Sequence, residues 1–199
     1  MAAIPTTASG VLYYKAVVTS GVCPSNESDI VSVQTDALTV AGSISSTSAL
    51  ICNNSAAPTV SLTGNTGSTI RWQSSTDGTT YNNFAPSQTG TTINSVVNNA
   101  APGISQVVTY YKAIVQNGVC NSLTTNEVVV AIDPTSQVGL LDPLQKTQQV
   151  CIGSPATSVV LSSYTGTIQW QNANAGSAYG NMTGLTSATL PFGNIPTNV

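Results

Sequence analysis

Apolar residues along this chain alternate with Ser, Thr, Asn and Gln in short runs, and turn residues separate the runs. Alternation with period two over about 4–8 residues predicts half-buried β-strands. The clearest runs are Asp29–Thr35, Thr59–Leu62, Thr66–Gln73, Glu127–Ile132, Ser158–Leu161 and Thr165–Gln171. Within them Ile70 and Trp72 should share one face, with Arg71 and Gln73 on the other. Likewise Tyr111, Ala113 and Val115 should point inward and Lys112 outward. Val40–Ile44 and Gln137–Leu141 read as short opening strands, and Thr89–Val97 as one more. Gly21, Asn117-Gly118 and Asp77-Gly78 supply the positive-φ positions of tight turns. No stretch sustains the 3.6-residue period of a helix, so the expected class is all-β.

The pattern occurs more than once. Tyr13-Tyr14-Lys15-Ala16-Val17-Val18-Thr19-Ser20-Gly21-Val22-Cys23 returns as Tyr110-Tyr111-Lys112-Ala113-Ile114-Val115-Gln116-Asn117-Gly118-Val119-Cys120, 97 residues later, with three differences. A second block, Cys52 to Phe84, returns as Cys151 to Met182. Self-similarity at a fixed offset means tandem repeats. One whole repeat of about 98 residues spans 37–134. Residues 1–36 then read as the C-terminal half of such a repeat and 135–199 as the N-terminal half of another. About seven short strands in the order Cys52, Trp72, Tyr111, Cys120 predict an immunoglobulin-like β-sandwich. Trp72 and Trp170, with Tyr14 and Tyr111, are the expected core anchors, each tryptophan burying ~200 Å².

The composition supports an all-β globular chain. Charged residues are 6% of the 199, there is no histidine, and the net charge is −3. Four basic residues cannot neutralise a run of phosphates, which argues against nucleic acid as a partner. No apolar run approaches the ~18–20 residues of a membrane-spanning helix, so no membrane insertion is expected. Met1–Pro5 has neither the basic nor the apolar region of a signal peptide.

The cysteines, Cys23, Cys52, Cys120 and Cys151, lack the short spacing or histidine companions of a zinc site. Their fixed repeat positions predict disulfides and an oxidising compartment. Within the whole repeat the expected bridge is Cys52–Cys120, closing a loop of about 69 residues and worth ~4 kcal/mol on a chain-entropy estimate. Cys23 and Cys151 should pair with partner half repeats, or with each other between chains.

Cys52, Gly67, Ile70, Trp72, Gln73, Ser74, Ser75, Asp77, Gly78, Tyr110, Tyr111, Lys112, Val115, Gly118, Val119 and Cys120 together carry a resemblance. This pattern resembles the immunoglobulin-like repeats of very large Bacteroidetes surface proteins exported by the type IX secretion system, gliding-motility adhesins among them. The resemblance implies a secreted, cell-surface, fibre-like protein in cell adhesion, with neighbouring repeats or copies of itself as partners. Surface glycans are a candidate ligand.

The half repeats are expected either to be completed head to tail by another copy or to be cut pieces of a longer chain whose missing strands lie upstream and downstream. From Cys151 to Val199 is 48 residues, and 23 more to the Cys23 of another copy makes 71, against 68 between Cys52 and Cys120. Joined, the halves total about one repeat.

Catalytic chemistry is not indicated. Without histidine there is no Ser-His-Asp arrangement, and the seven acids stand singly, with no calcium-loop pattern. Asp77 reads as a turn residue. No cofactor and no metal is expected. The rival reading is a carbohydrate-binding accessory module of a secreted enzyme, which requires a face of exposed aromatics.

Overall fold

The computed structural model describes residues 8–84, 88–95, 106–151 and 154–192. The chain is all-β, with several sheets; helix among the described residues is a single 3-10 turn, Pro143–Gln145.

The first block holds β1 (Gly10–Tyr14), β2 (Val17–Val18), β3 (Asn26–Glu27) and β4 (Val31–Thr35). β1 pairs antiparallel with β4, and β2 with β3. Gly21, at φ 54°, turns the chain toward Cys23, whose N–H donates to the Ser20 carbonyl. These two-stranded ribbons leave Val11, Val17, Val18 and Ile30 exposed.

Residues 37–134 hold β5 (Ser43–Ser46), β6 (Leu50–Cys52), β7 (Thr59–Thr63), β8 (Ser68–Ser75), β9 (Asn82–Asn83), β10 (Thr92–Asn94), β11 (Val107–Gln116), β12 (Leu123–Thr124) and β13 (Val128–Asp133). One sheet runs β10-β7-β5, the other β6-β13-β11-β8-β9, with β12 beside β11. Ile44, Val60, Leu62 and Ile93 of the first sheet join Trp72, Tyr111, Ala113, Val115 and Val130 of the second in one buried cluster. Two sheets sharing a core by alternate residues is the packing of a β-sandwich. Burying these nine side chains is the main stabilising term of this part of the chain.

Local chemistry sets the strand limits. Gly42 has φ 71°, and a Cβ there would lie 2.4 Å from the Thr63 carbonyl oxygen. The expected Val40–Ile44 strand is therefore broken. Val40 makes only an isolated bridge with Thr66, and the ladder starts at Ser43. The Thr89–Val97 strand is realised as β10; Val96 and Val97 lie outside the described residues.

The expected pairing of Ile70 with Trp72 on one face is corrected. Ile114 pairs with Arg71 but Val115 with Thr69, so Ile70 is the extra residue of a β-bulge. The shift buries Thr69, at 5% exposure, and leaves Ile70 half-buried. In β11 the alternation is regular: Tyr111, Ala113 and Val115 are buried, and Lys112 lies on the other face.

The last block holds β14 (Leu140–Leu141), β15 (Val159–Ser162), β16 (Gln171–Asn172), β17 (Gly180–Asn181) and β18 (Thr189–Leu190). Its sheet order is β14-β15-β18, with a separate β16-β17 ribbon. Val159, Met182 and Leu190 form a small core, with Leu141, Trp170, Leu185 and Phe192 packed partly buried against it.

Equivalent residues repeat their bonds. The Phe84 N–H donates to the Trp72 carbonyl at 2.9 Å, as Met182 does to Trp170. Val40 and Thr66 exchange two backbone bonds, as do Gln137 and Thr165. Ser43 pairs with Thr63, as Leu140 does with Ser162. In the first block Val17 pairs with Glu27 as Ile114 does with Thr124.

Candidate assembly site

The expected anchors occupy two kinds of environment. Trp72 and Tyr111 are fully buried, and the Trp72 indole N–H donates to the Gly90 carbonyl at 2.9 Å. The Tyr111 ring lies 6.1 Å from that of Phe84, tilted by 55°. Trp170 and Tyr14 are only half-buried. The Trp170 indole keeps the equivalent bond, to Ser187 at 2.9 Å, but its flank opens on a cavity of about 390 Å³. Leu140, Leu141, Leu161 and Ile168 complete the apolar part of that wall.

Leu141, Leu161 and Trp170 are the repeat counterparts of Ile44, Leu62 and Trp72. In the complete repeat those three pack with Tyr111, Ala113, Val115 and Val130. The first block carries the counterparts of that second group: Tyr14, Ala16, Val18 and Val33. Val18 is 65% exposed and Val33 39%, against 0% and 1% for Val115 and Val130. Counterparts of side chains buried against one another in residues 37–134 thus lie partly or fully exposed in each flanking block. Sequence alternation pointed to Trp170 and Tyr14 but not to Leu141, Leu161 and Ile168 as an open wall.

The expected Cys52–Cys120 bridge is corrected. All four cysteines are free thiols. Cys52 is the register partner of Asp133, at the end of β13. Asp133 in turn accepts from the Gln106 amide at 2.8 Å, just before β11 begins. Cys120 comes after β11 ends. No Cys52–Cys120 bridge is formed. Cys23 and Cys151 are exposed and are not bridged to one another.

Cys120 instead lies at the join with the first block. Its thiol donates to the Ala37 carbonyl at 3.3 Å and lies 3.9 Å from that of Asp36. Around it, the Val119 N–H donates to the Asp36 carboxylate at 3.0 Å and the Asn117 amide to Ala37 at 2.8 Å. Bonds from the Gln34 amide and then the Val119 N–H hold the Asp36 carboxyl below its usual range. Sequence reading missed this join, although the Asn117-Gly118 turn was its one visible sign. It also missed Asn126, whose side-chain amide accepts from Ile44 N–H at 2.8 Å and donates to Ile44 C=O at 3.1 Å.

The remaining polar groups serve turns and edges. One Asp77 carboxylate oxygen accepts from the Thr79 and Thr80 N–H groups and from the Ser75 hydroxyl, at 2.7–2.8 Å. Those bonds, Thr80 foremost, hold its carboxyl far below the usual value. Tyr81 donates to Glu127, and the Lys112 ammonium sits 4.1 Å above the Tyr81 ring and 3.5 Å from Glu127. Burial first, and that hydrogen bond second, push the Tyr81 hydroxyl pKa well up. Among the described residues no group of His, Cys, Asp or Glu could hold a metal ion. No helix there is long and apolar enough to cross a membrane.

A family model described as "Domain of unknown function (DUF8696)" matches residues 40–134 and again 143–199, about three-quarters of the chain. The chain belongs to this family. The first DUF8696 stretch covers the two facing sheets, and the second covers Leu161, Ile168 and Trp170 of the open wall but begins after Leu140 and Leu141. No curated protein and no solved structure matches the chain.

Proposed function

We propose that this chain is a non-enzymatic, structural or adhesive segment of an extracellular bacterial surface fibre, built from tandem immunoglobulin-like repeats that complete one another head to tail. One observation carries the reading. The side chains left open in each flanking block are counterparts of side chains buried against each other in residues 37–134. The ribbon of one copy, presenting Tyr14, Ala16, Val18 and Val33, is the occupant that fits the wall of Leu141, Leu161 and Trp170. A head-to-tail contact of this kind generates open filaments.

The sheet order supports the immunoglobulin-like part of the reading. Three strands, β5, β7 and β10, face six: β6, β13, β11, β8 and β9, with β12 beside β11. Trp72 sits on the strand equivalent to C and Tyr111 on the strand equivalent to F in that fold. The two DUF8696 matches support the repeat. The resemblance to Bacteroidetes gliding-motility adhesins supplies the cell-surface setting.

The exposed aromatics favour completion over a sugar platform. Tyr13 and Tyr179, 71% and 74% exposed, are counterparts of Tyr110 and Tyr81, which are half-buried in the complete repeat. Sedimentation under reducing conditions tests the reading. The chain should form concentration-dependent oligomers, and Val18→Asp should abolish them while Trp72 fluorescence stays native. A chain that is monomeric at every concentration and binds sugars through Tyr13 or Tyr179 would overturn it.

A further inference from the structure

We infer that the cysteines staple one repeat to the next: the β6 cysteine of each repeat bridges the turn cysteine of the repeat that follows. The inference rests on the fibre reading above. It assigns the four thiols to pairs that the sequence order alone does not suggest.

The argument uses one backbone position seen twice. Asp36 and Asp133 are equivalent residues, 97 apart, each closing the last strand of its repeat. At Asp133 the structure shows the approach from within the repeat. Cys52 is its parallel-strand partner, and the Asn53 N–H donates to the Asp133 carbonyl at 2.8 Å. At Asp36 the structure shows the approach from the following repeat. The Cys120 sulfur lies 3.9 Å from the Asp36 carbonyl oxygen and 3.3 Å from that of Ala37. Transferred through the repeat, the backbone of the β6 cysteine and the sulfur of the turn cysteine lie beside the same aspartate.

The distances suit a bridge. Neighbouring strands are ~4.8 Å apart, which sets the Cα of a β6-type cysteine about that far from the aspartate backbone. The turn that presents Cys120 is already fixed on the join by the Val119, Asn117 and Gly118 contacts. Little ordering entropy remains to be lost when the bond closes.

In an assembly of this chain the rule gives two cross-links between successive molecules. Cys52 of one copy bridges Cys23 of the next, because Cys23 is the turn cysteine of the repeat completed at the contact. Cys151 of the first copy bridges Cys120 of the second. No thiol is left over. Each bridge forms by exchange with a small-molecule disulfide such as oxidised glutathione: two thiols lose two protons and two electrons, and the glutathione disulfide is reduced to two thiols.

The experiment mixes isotopically light and heavy chains, oxidises them with glutathione disulfide, and maps cross-linked peptides by mass spectrometry. Expected are mixed-isotope Cys23–Cys52 and Cys120–Cys151 peptides, with a ladder on non-reducing gels. Cys52→Ser should remove the first peptide, free Cys23, and leave the second. Predominant Cys52–Cys120 or Cys23–Cys151 peptides, or four thiols still free after oxidation, overturn the inference. Sedimentation of the reduced chain separates the two levels. Oligomers that oxidise to other pairs sink the staple and leave the fibre; a monomer that forms neither predicted peptide sinks both.

Discussion

The two tryptophans offer a direct comparison of a closed and an open core, because Trp72 and Trp170 are repeat counterparts with the same indole bond to a carbonyl. A fully buried tryptophan removes ~150–250 Å² from water, which at ~25 cal/mol per Å² is about 4–6 kcal/mol as an upper bound. Replacement by alanine in a packed core costs ~3–5 kcal/mol once relaxation is allowed for. Trp72→Ala should therefore cost that much, since the side chain is 0% exposed in the nine-residue cluster. Trp170→Ala removes a half-buried ring beside a cavity of about 390 Å³, and we expect roughly 1–2 kcal/mol, scaled from the same coefficient. Each variant leaves its one tryptophan in the unmutated block, so the cost is read by denaturant unfolding followed by circular dichroism. At low concentration the two costs should differ by about 1–4 kcal/mol. As the chain assembles, the cost at Trp170 should rise toward that at Trp72. Equal costs at low concentration, or a Trp170 cost that ignores concentration, would refute the open-core reasoning.

Two further outcomes follow from the join and the turn. Gly118→Ala combines φ 49° with a Cβ placed 1.8 Å from the Asp36 carboxylate, whereas Gly21, at φ 54°, has nothing within 4 Å. Thermal melts should show Gly118→Ala losing ~1–3 kcal/mol and Gly21→Ala ~1 kcal/mol or less. The Asp77 carboxyl is depressed in the folded chain, chiefly by the Thr80 N–H. Its contribution is thus fully present above the unfolded value of about 4 and lost as pH falls below that toward the folded value. Urea midpoints measured from pH 5 to pH 2 should fall less steeply for Asp77→Asn than for the parent; identical slopes would remove Asp77 from the acid limb.

Sequence alone determined the class and the repeat. Period-two alternation and turn residues are local properties, so Tyr111, Ala113 and Val115 could be placed inward from spacing and the turns at Gly21, Gly78 and Gly118 from residue type. Other features depend on which strands meet. The bulge at Ile70 arises from the pairing of β8 with β11, and no count along β8 alone reveals it. Leu141 and Leu161 carry the same alternation as Ile44 and Leu62, yet only the latter pair is buried, because burial depends on the strand opposite.

The cysteines show the limit most sharply. Their repeat positions signalled paired thiols, and proximity in the repeat suggested Cys52 with Cys120. The parallel pairing of β6 with β13 sets Cys52 beside Asp133, and the Cys120 turn is seated on Asp36 and Ala37. Spacing along a chain measures separation through the backbone. Only the tertiary fold decides which backbone each cysteine lies against.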